Sequence, residues 1–129
     1  VTRKAALALF AALLSAAGPA LASSLEVLGT ARVNNATQTL TFRIARHQSR
    51  VSEVRLRSGS LTAHFLIMEI AFADGSRQRM TLDAIVSPGH QTPAFPVDPA
   101  RAISEISVAK RPGLMPGETA IQLLGKVER

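Results

Sequence analysis

An every-second-residue rhythm runs through this chain, and it fixes the class of fold. Leu40, Phe42 and Ile44 alternate with Thr39, Thr41 and Arg43; Val54 and Leu56 alternate with Glu53, Arg55 and Arg57. Successive side chains of an extended chain point to opposite faces, so this spacing gives one apolar and one polar face, as in a half-buried strand. Residues 65–72 are interrupted only by Glu69 and read as a central strand covered on both faces. After Ser24 no segment holds a helical period for three turns.

Turn chemistry divides the strands. Ala73-Asp74-Gly75-Ser76 suits the positive φ angles of a tight hairpin, and residues 77–82 should return antiparallel to the strand before it. Ser58-Gly59-Ser60 joins the third and fourth strands, and Ser87-Pro88-Gly89 ends a short run at Ile85-Val86. Pro93, Pro96 and Pro99 lack a ladder donor and confine residues 92–100 to an irregular or edge segment. Residues 103–109 and 120–124 read as the last two strands, with residues 111–117 a loop between them. About eight strands with no covering helix must bury their apolar faces against one another. The expectation is an all-β fold, a single antiparallel two-sheet β-sandwich, with a closed barrel as the alternative.

Residues 1–22 follow a different logic. Arg3 and Lys4 precede an apolar run over residues 5–17, Gly18-Pro19 breaks it, and Ala20-Leu21-Ala22 offers small residues at a cleavage position. That order is a secretory signal peptide, and the run is short of the ~20 residues a membrane span needs. The expected organisation is a cleaved signal peptide at 1–22 and one β-sandwich domain at 23–129, exported to the periplasm or the medium, with no transmembrane segment in the mature chain. The chain has no cysteine, which excludes a disulfide scaffold, thiol catalysis and cysteine-ligated metal. It also has no Trp or Tyr, which removes most aromatic platforms for sugars and bases. Without Arg3 and Lys4 the net charge falls from +6 to +4, too mild to point to nucleic acid.

Short signposts recur in order along the mature chain: Leu28-Gly29 followed by Val33, Val54-Arg55-Leu56-Arg57, Asp74-Gly75, Gly89-x-Gln91-Thr92, Arg101-x-Ile103-x-x-Ile106 and Leu124-Gly125. The set resembles a group of small secreted bacterial β-sandwich domains of unknown function, over residues 25–125. The chain departs from that group where it lacks a Trp before Leu28-Gly29. It also reads Thr37-Gln38-Thr39 in place of a D-x-D element, and Thr92-Pro93 in place of Thr-Arg. The resemblance implies a fold and no reaction.

Candidate chemistry is sparse. His47, His64 and His90 share no local ligand spacing, so no metal or cofactor is expected. There is no G-x-S-x-G or S-x-x-K motif, and the acidic residues are scattered. Glu69, inside an apolar strand, reads as a sheet-edge carboxylate or one paired with an Arg on a neighbouring strand, the alternative being an acid tuned by burial. Asn35-Ala36-Thr37 marks an exposed turn. The arginines carry the one spatial pattern. Arg55 and Arg57 share a face, and Arg43 points outward on the preceding strand; if those strands pair, the three form a cationic patch, with Arg46 and Arg50 in the connecting loop. Guanidinium groups take phosphate and carboxylate bidentately. The partners implied are an anionic glycan, lipid phosphate or an acidic protein surface. The leading expectation is an exported module that binds rather than catalyses. Two alternatives stand beside it: a small enzyme or accessory domain using loop residues such as His90 and Asp98, and a structural envelope component associating through an edge strand.

Overall fold

The computed structural model describes residues 23–113 and 116–128; the signal peptide expected at 1–22 lies outside them. Eight strands are present: β1 (Ser23–Asn34), β2 (Thr39–Arg43), β3 (Val51–Ser58), β4 (Ala63–Phe72), β5 (Arg77–Val86), β6 (Phe95–Pro96), β7 (Ile103–Lys110) and β8 (Glu118–Glu128). They form two antiparallel sheets with strand orders β1-β8-β3-β6 and β2-β7-β4-β5, so the fold is a sandwich and not a closed barrel.

Alternation sets which side chains meet between the sheets. Leu40 and Phe42 of β2, Val54 and Leu56 of β3, Ile106 and Val108 of β7, and Ile121 and Leu123 of β8 all point inward and are buried. Each such side chain contributes about 1.5–3 kcal/mol through removal from water. β4 lies inside its sheet, between β7 and β5. Contrary to the reading of its sequence, it is not covered on both faces. Phe65, Met68, Ile70 and Phe72 are buried, while His64, Leu66, Ile67, Glu69 and Ala71 on the remaining positions are half-exposed. Two sheets cover only each other's inner faces, so a strand in this fold has an open side whatever its composition.

The Asp74-Gly75 hairpin forms as its sequence requires. Gly75 sits at φ +92° and donates its N–H to the Phe72 carbonyl at 3.0 Å. Residues 77–82 and 85–86, read as separate runs, are one strand. Between Phe65↔Ala84 and Ile67↔Thr81 the β5 side carries one extra residue, a bulge, and Asp83 within it takes a φ of +44°. The eighth strand is instead β6, where Pro96 pairs with Glu53 at a sheet edge.

The segment around β6 also covers the free edge of β3. The Ser58 N–H reaches the His90 carbonyl at 3.1 Å, the Thr92 N–H the Leu56 carbonyl at 2.8 Å, and the Val97 N–H the Ser52 carbonyl at 2.9 Å. Between β2 and β3 the chain makes a short 3-10 turn at Arg46–Gln48 and crosses from one sheet to the other. That crossing decides what becomes of the arginines.

Candidate binding cleft

The structure does not bring Arg43 together with Arg55 and Arg57. β2 pairs with β7, and β3 pairs with β8 and β6, so Arg43 projects from the outer face of one sheet and Arg55 and Arg57 from the outer face of the other. The patch required β2 and β3 to be neighbours, and the crossing separates them. Arg43 stands opposite Glu105 in register. Arg55 is engaged locally, its Nε 2.9 Å from Glu53 Oε2. Arg57 is exposed opposite Gln122. Arg50 of the connecting loop donates to the Pro99 and Ala100 carbonyls, which uses it as a structural tie.

The other candidates also resolve. Glu69 is paired with an arginine of the neighbouring strand, Arg77 Nη1 lying 2.6 Å from its Oε1. The three histidines are scattered: His47 in the 3-10 turn, His64 on β4, and His90 in the connection after β5, its Nδ1 donating to the Pro88 carbonyl at 3.0 Å. Among the described residues no group of three or more His, Cys, Asp or Glu side chains could hold a metal ion. His90 lies beside Ser58 at one end of β3, whereas Val97, next to Asp98, is bonded to Ser52 near the other end, so His90 and Asp98 do not share a site. No helix among the described residues is long and apolar enough to cross a membrane.

A concave feature lies at one pole of the described residues. A cleft of about 650 Å³ opens between the end of β1, the β3–β4 connection, Pro88 beyond β5, and the end of β7 with the residues that follow it. Its walls are tied to one another. The Gly113 N–H donates to the Asn35 carbonyl at 2.7 Å, the Arg111 N–H to the His64 carbonyl at 2.9 Å, and the Ser60 N–H to Thr119 Oγ1 at 2.7 Å. The Asn35 turn is fixed by Asn34 Oδ1, which accepts from the Ala36 N–H at 2.9 Å. On the β4 side, His64 Nε2 lies 2.7 Å from Asp83 Oδ1, the bulge residue. Backbone bonds of this kind give a shape that exists before any ligand arrives.

Lys110 lies in the wall of this cleft. It continues the inward face of β7 set by Ile106 and Val108, is only 6% exposed, and donates from Nζ to the Arg111 carbonyl at 3.1 Å. Among the described residues no carboxylate lies within ion-pair distance of it. Burial without an acid partner disfavours the charged form and lowers the ammonium pKa below its ordinary range. The sequence held the signal. The parity of Ile106 and Val108 continues to position 110, one residue beyond the strand end at 109 that the sequence predicts.

A family model matches residues 6–125. The chain belongs to the family described as Domain of unknown function (DUF2541). Among curated proteins nothing matches the sequence. Solved structures resemble this DUF2541 domain in fold. AlgX from Pseudomonas aeruginosa superposes with a TM-score of 0.50 at 10% identity over 79% of this chain, which spans 27% of AlgX. The C-terminal domain of A223, a structural protein of sulfolobus turreted icosahedral virus, gives 0.42 at 14% identity over 81% of this chain and 100% of that one. The C-terminal family 22 carbohydrate-binding module of Clostridium thermocellum Xyn10B gives 0.39 at 10% identity, over 75% of this chain and 68% of that one. At 10% identity the AlgX likeness speaks to fold alone, and the two lower superpositions carry no argument.

Proposed function

We propose that this DUF2541 domain is an exported, non-catalytic binding module whose ligand site is the pole cleft, and that the mature chain begins at Ser23. The carrying observation is the cleft itself, walled by connections that hydrogen-bond to one another and so hold its shape. Its volume of about 650 Å³ falls within the ~300–1,000 Å³ of small-molecule sites. The polar groups in its wall do not form a nucleophile–base pair: His64 is turned to Asp83, and the Thr119 hydroxyl accepts from the Ser60 backbone. Export rests on the sequence of residues 1–22, with its basic start, apolar run, Gly18-Pro19 break and small residues at 20–22.

Two measurements test this reading. A screen of small neutral and charged compounds against the isotope-labelled mature protein should shift the amides of Val33, Leu61 and Gly113, and Leu61→Trp should abolish binding without lowering the melting temperature. Shifts confined to the outer face bearing Arg55 and Arg57 would place the site elsewhere and overturn the cleft. Expression of the full chain in a Gram-negative host should release a periplasmic product with Ser23 as its first residue; an intact leader in the cytoplasm would remove export.

A further inference from the structure

We infer that the cleft takes an organic oxyanion, a carboxylate or phosphate head on an aliphatic body, with the head seated on the Lys110 ammonium. The inference rests on the reading of the cleft as the binding site and names the chemistry of its ligand.

The head follows from the unmet capacity of Lys110. An ammonium has three donors, and the Arg111 carbonyl takes one of them. Among the described residues no other inward-facing strand position carries a charged side chain, and a buried charge is normally paired. Lys110 sits at such a position with 94% of its surface covered, beside a cavity, with no acid partner among the described residues. An oxyanion entering the cleft supplies the missing countercharge in a low-dielectric setting, where the attraction is strongest. Arg111, exposed at the mouth, adds positive potential along the way in.

The body follows from the walls. Val33, Leu61, Ala63, Pro88 and Pro112 line the cleft with aliphatic surface. None of the four described phenylalanines is in the lining, and the chain has no Trp or Tyr, so these walls lack the large flat ring that usually stacks a sugar or a base. Aliphatic patches set among the polar Asn34, Asn35, Ser60, Thr62, His64 and Thr119, around one buried cation, match an amphiphilic anion better than a bare ion. A lysine is a point charge rather than a planar fork, so Lys110 accepts carboxylate and phosphate alike. The source of the oxyanion is therefore for the experiment to decide.

The test is a calorimetric and amide-shift titration of the mature protein with octanoate, octyl phosphate, octanol and inorganic phosphate, repeated on Lys110→Met, Lys110→Gln and Lys110→Arg. Octanoate or octyl phosphate should bind at least tenfold tighter than octanol, and whichever binds tighter names the head. Lys110→Met and Lys110→Gln should erase that preference, while Lys110→Arg should keep most of it. Octanol binding in the cleft as tightly as the anions would overturn the oxyanion and leave the cleft reading standing. Inorganic phosphate binding as tightly as octyl phosphate would overturn the aliphatic body. No binding by either amphiphilic anion would overturn the inference as a whole, and the neutral-compound screen then judges the cleft by itself. Anion-induced shifts confined to the Arg57 face would overturn both.

Discussion

Gly125 of β8 leaves the space that Leu28 of β1 fills: a β-carbon at Gly125 would lie 2.5 Å from Leu28 Cδ1 and 3.2 Å from Val51 Cγ1. The glycine is there for close approach between strands, and Leu28 is buried in the core on the strength of it. Gly125→Ala should therefore cost about 1–3 kcal/mol, the usual range for overpacking a well-filled core. Gly113→Ala meets Asn35 at 3.5 Å, an ordinary contact, and should stay within about 0.5 kcal/mol of the parent. Urea denaturation midpoints of the two variants check the contrast, and equal midpoints would contradict it.

Thr92 secures the edge of β3 with its side chain as well as its backbone. Its buried Oγ1 accepts from the Leu56 N–H at 3.0 Å and donates to the Pro93 carbonyl at 2.9 Å. Thr92→Val keeps the shape and removes the acceptor, leaving a buried N–H without that partner. A loss of about 1–3 kcal/mol is expected, with Thr92→Ser recovering most of it. Amide exchange at Leu56 offers a direct readout, since it should accelerate in the valine variant and not in the serine one.

Lys110 should weaken the fold at neutral pH. Its pKa is lowered by burial, so the unfolded chain binds more protons than the folded one between the folded value and the ordinary 10.5. Stability contributed by this group therefore rises with pH through that window. Replacing the ammonium with the similar volume of Met should stabilise the protein by about 1 kcal/mol or more at pH 7. The advantage of Lys110→Met should shrink as pH climbs toward 10.5. Thermal melts of both proteins across that range measure the closing gap; a gap that stays constant counts against a strained lysine.

Asp74 gives a slope of the same sign at the acid end, from a group that stabilises the fold when charged. The Ser76 hydroxyl and then the Ser76 backbone N–H hold its pKa below the ordinary 3.8, with Arg101 adding attraction. Arg101 in turn lies 3.8 Å above the Phe72 ring, which keeps it beside the hairpin. A carboxylate with a depressed folded pKa adds stability above its ordinary range and loses it as pH falls through the folded value. Asp74→Asn should flatten that part of the acid-denaturation curve while leaving the region above pH 6 parallel to the parent.

The strands were legible because burial on one face imprints a period of two, and Leu40/Phe42, Val54/Leu56 and Ile106/Val108 carry it without ambiguity. Their partners were not. Consecutive strands usually neighbour each other, but the residues between Arg43 and Val51 turn from one sheet to the other, and no side chain there advertises the choice. That single crossing dissolved the arginine patch. The merger of the two runs of β5 was hidden for a different reason: Asp83 holds a positive φ inside a bulge, a conformation that only some aspartates adopt and that sequence does not flag. The cleft was partly within reach. Its lysine stands on a readable parity, whereas the walls come from connections far apart in the chain, and their meeting is a property of the fold alone.

β1 and β8 run side by side from Ser23↔Glu128 to Asn34↔Glu118. The cleft begins at Val33 and Asn34, so the outer ends of β1 and β8 lie together about 35 Å away from it, at ~3.3 Å per residue of strand. A tether on the outer end of either strand, whether a surface, a bead or a fused neighbour, is thereby held a full strand's length from the cleft.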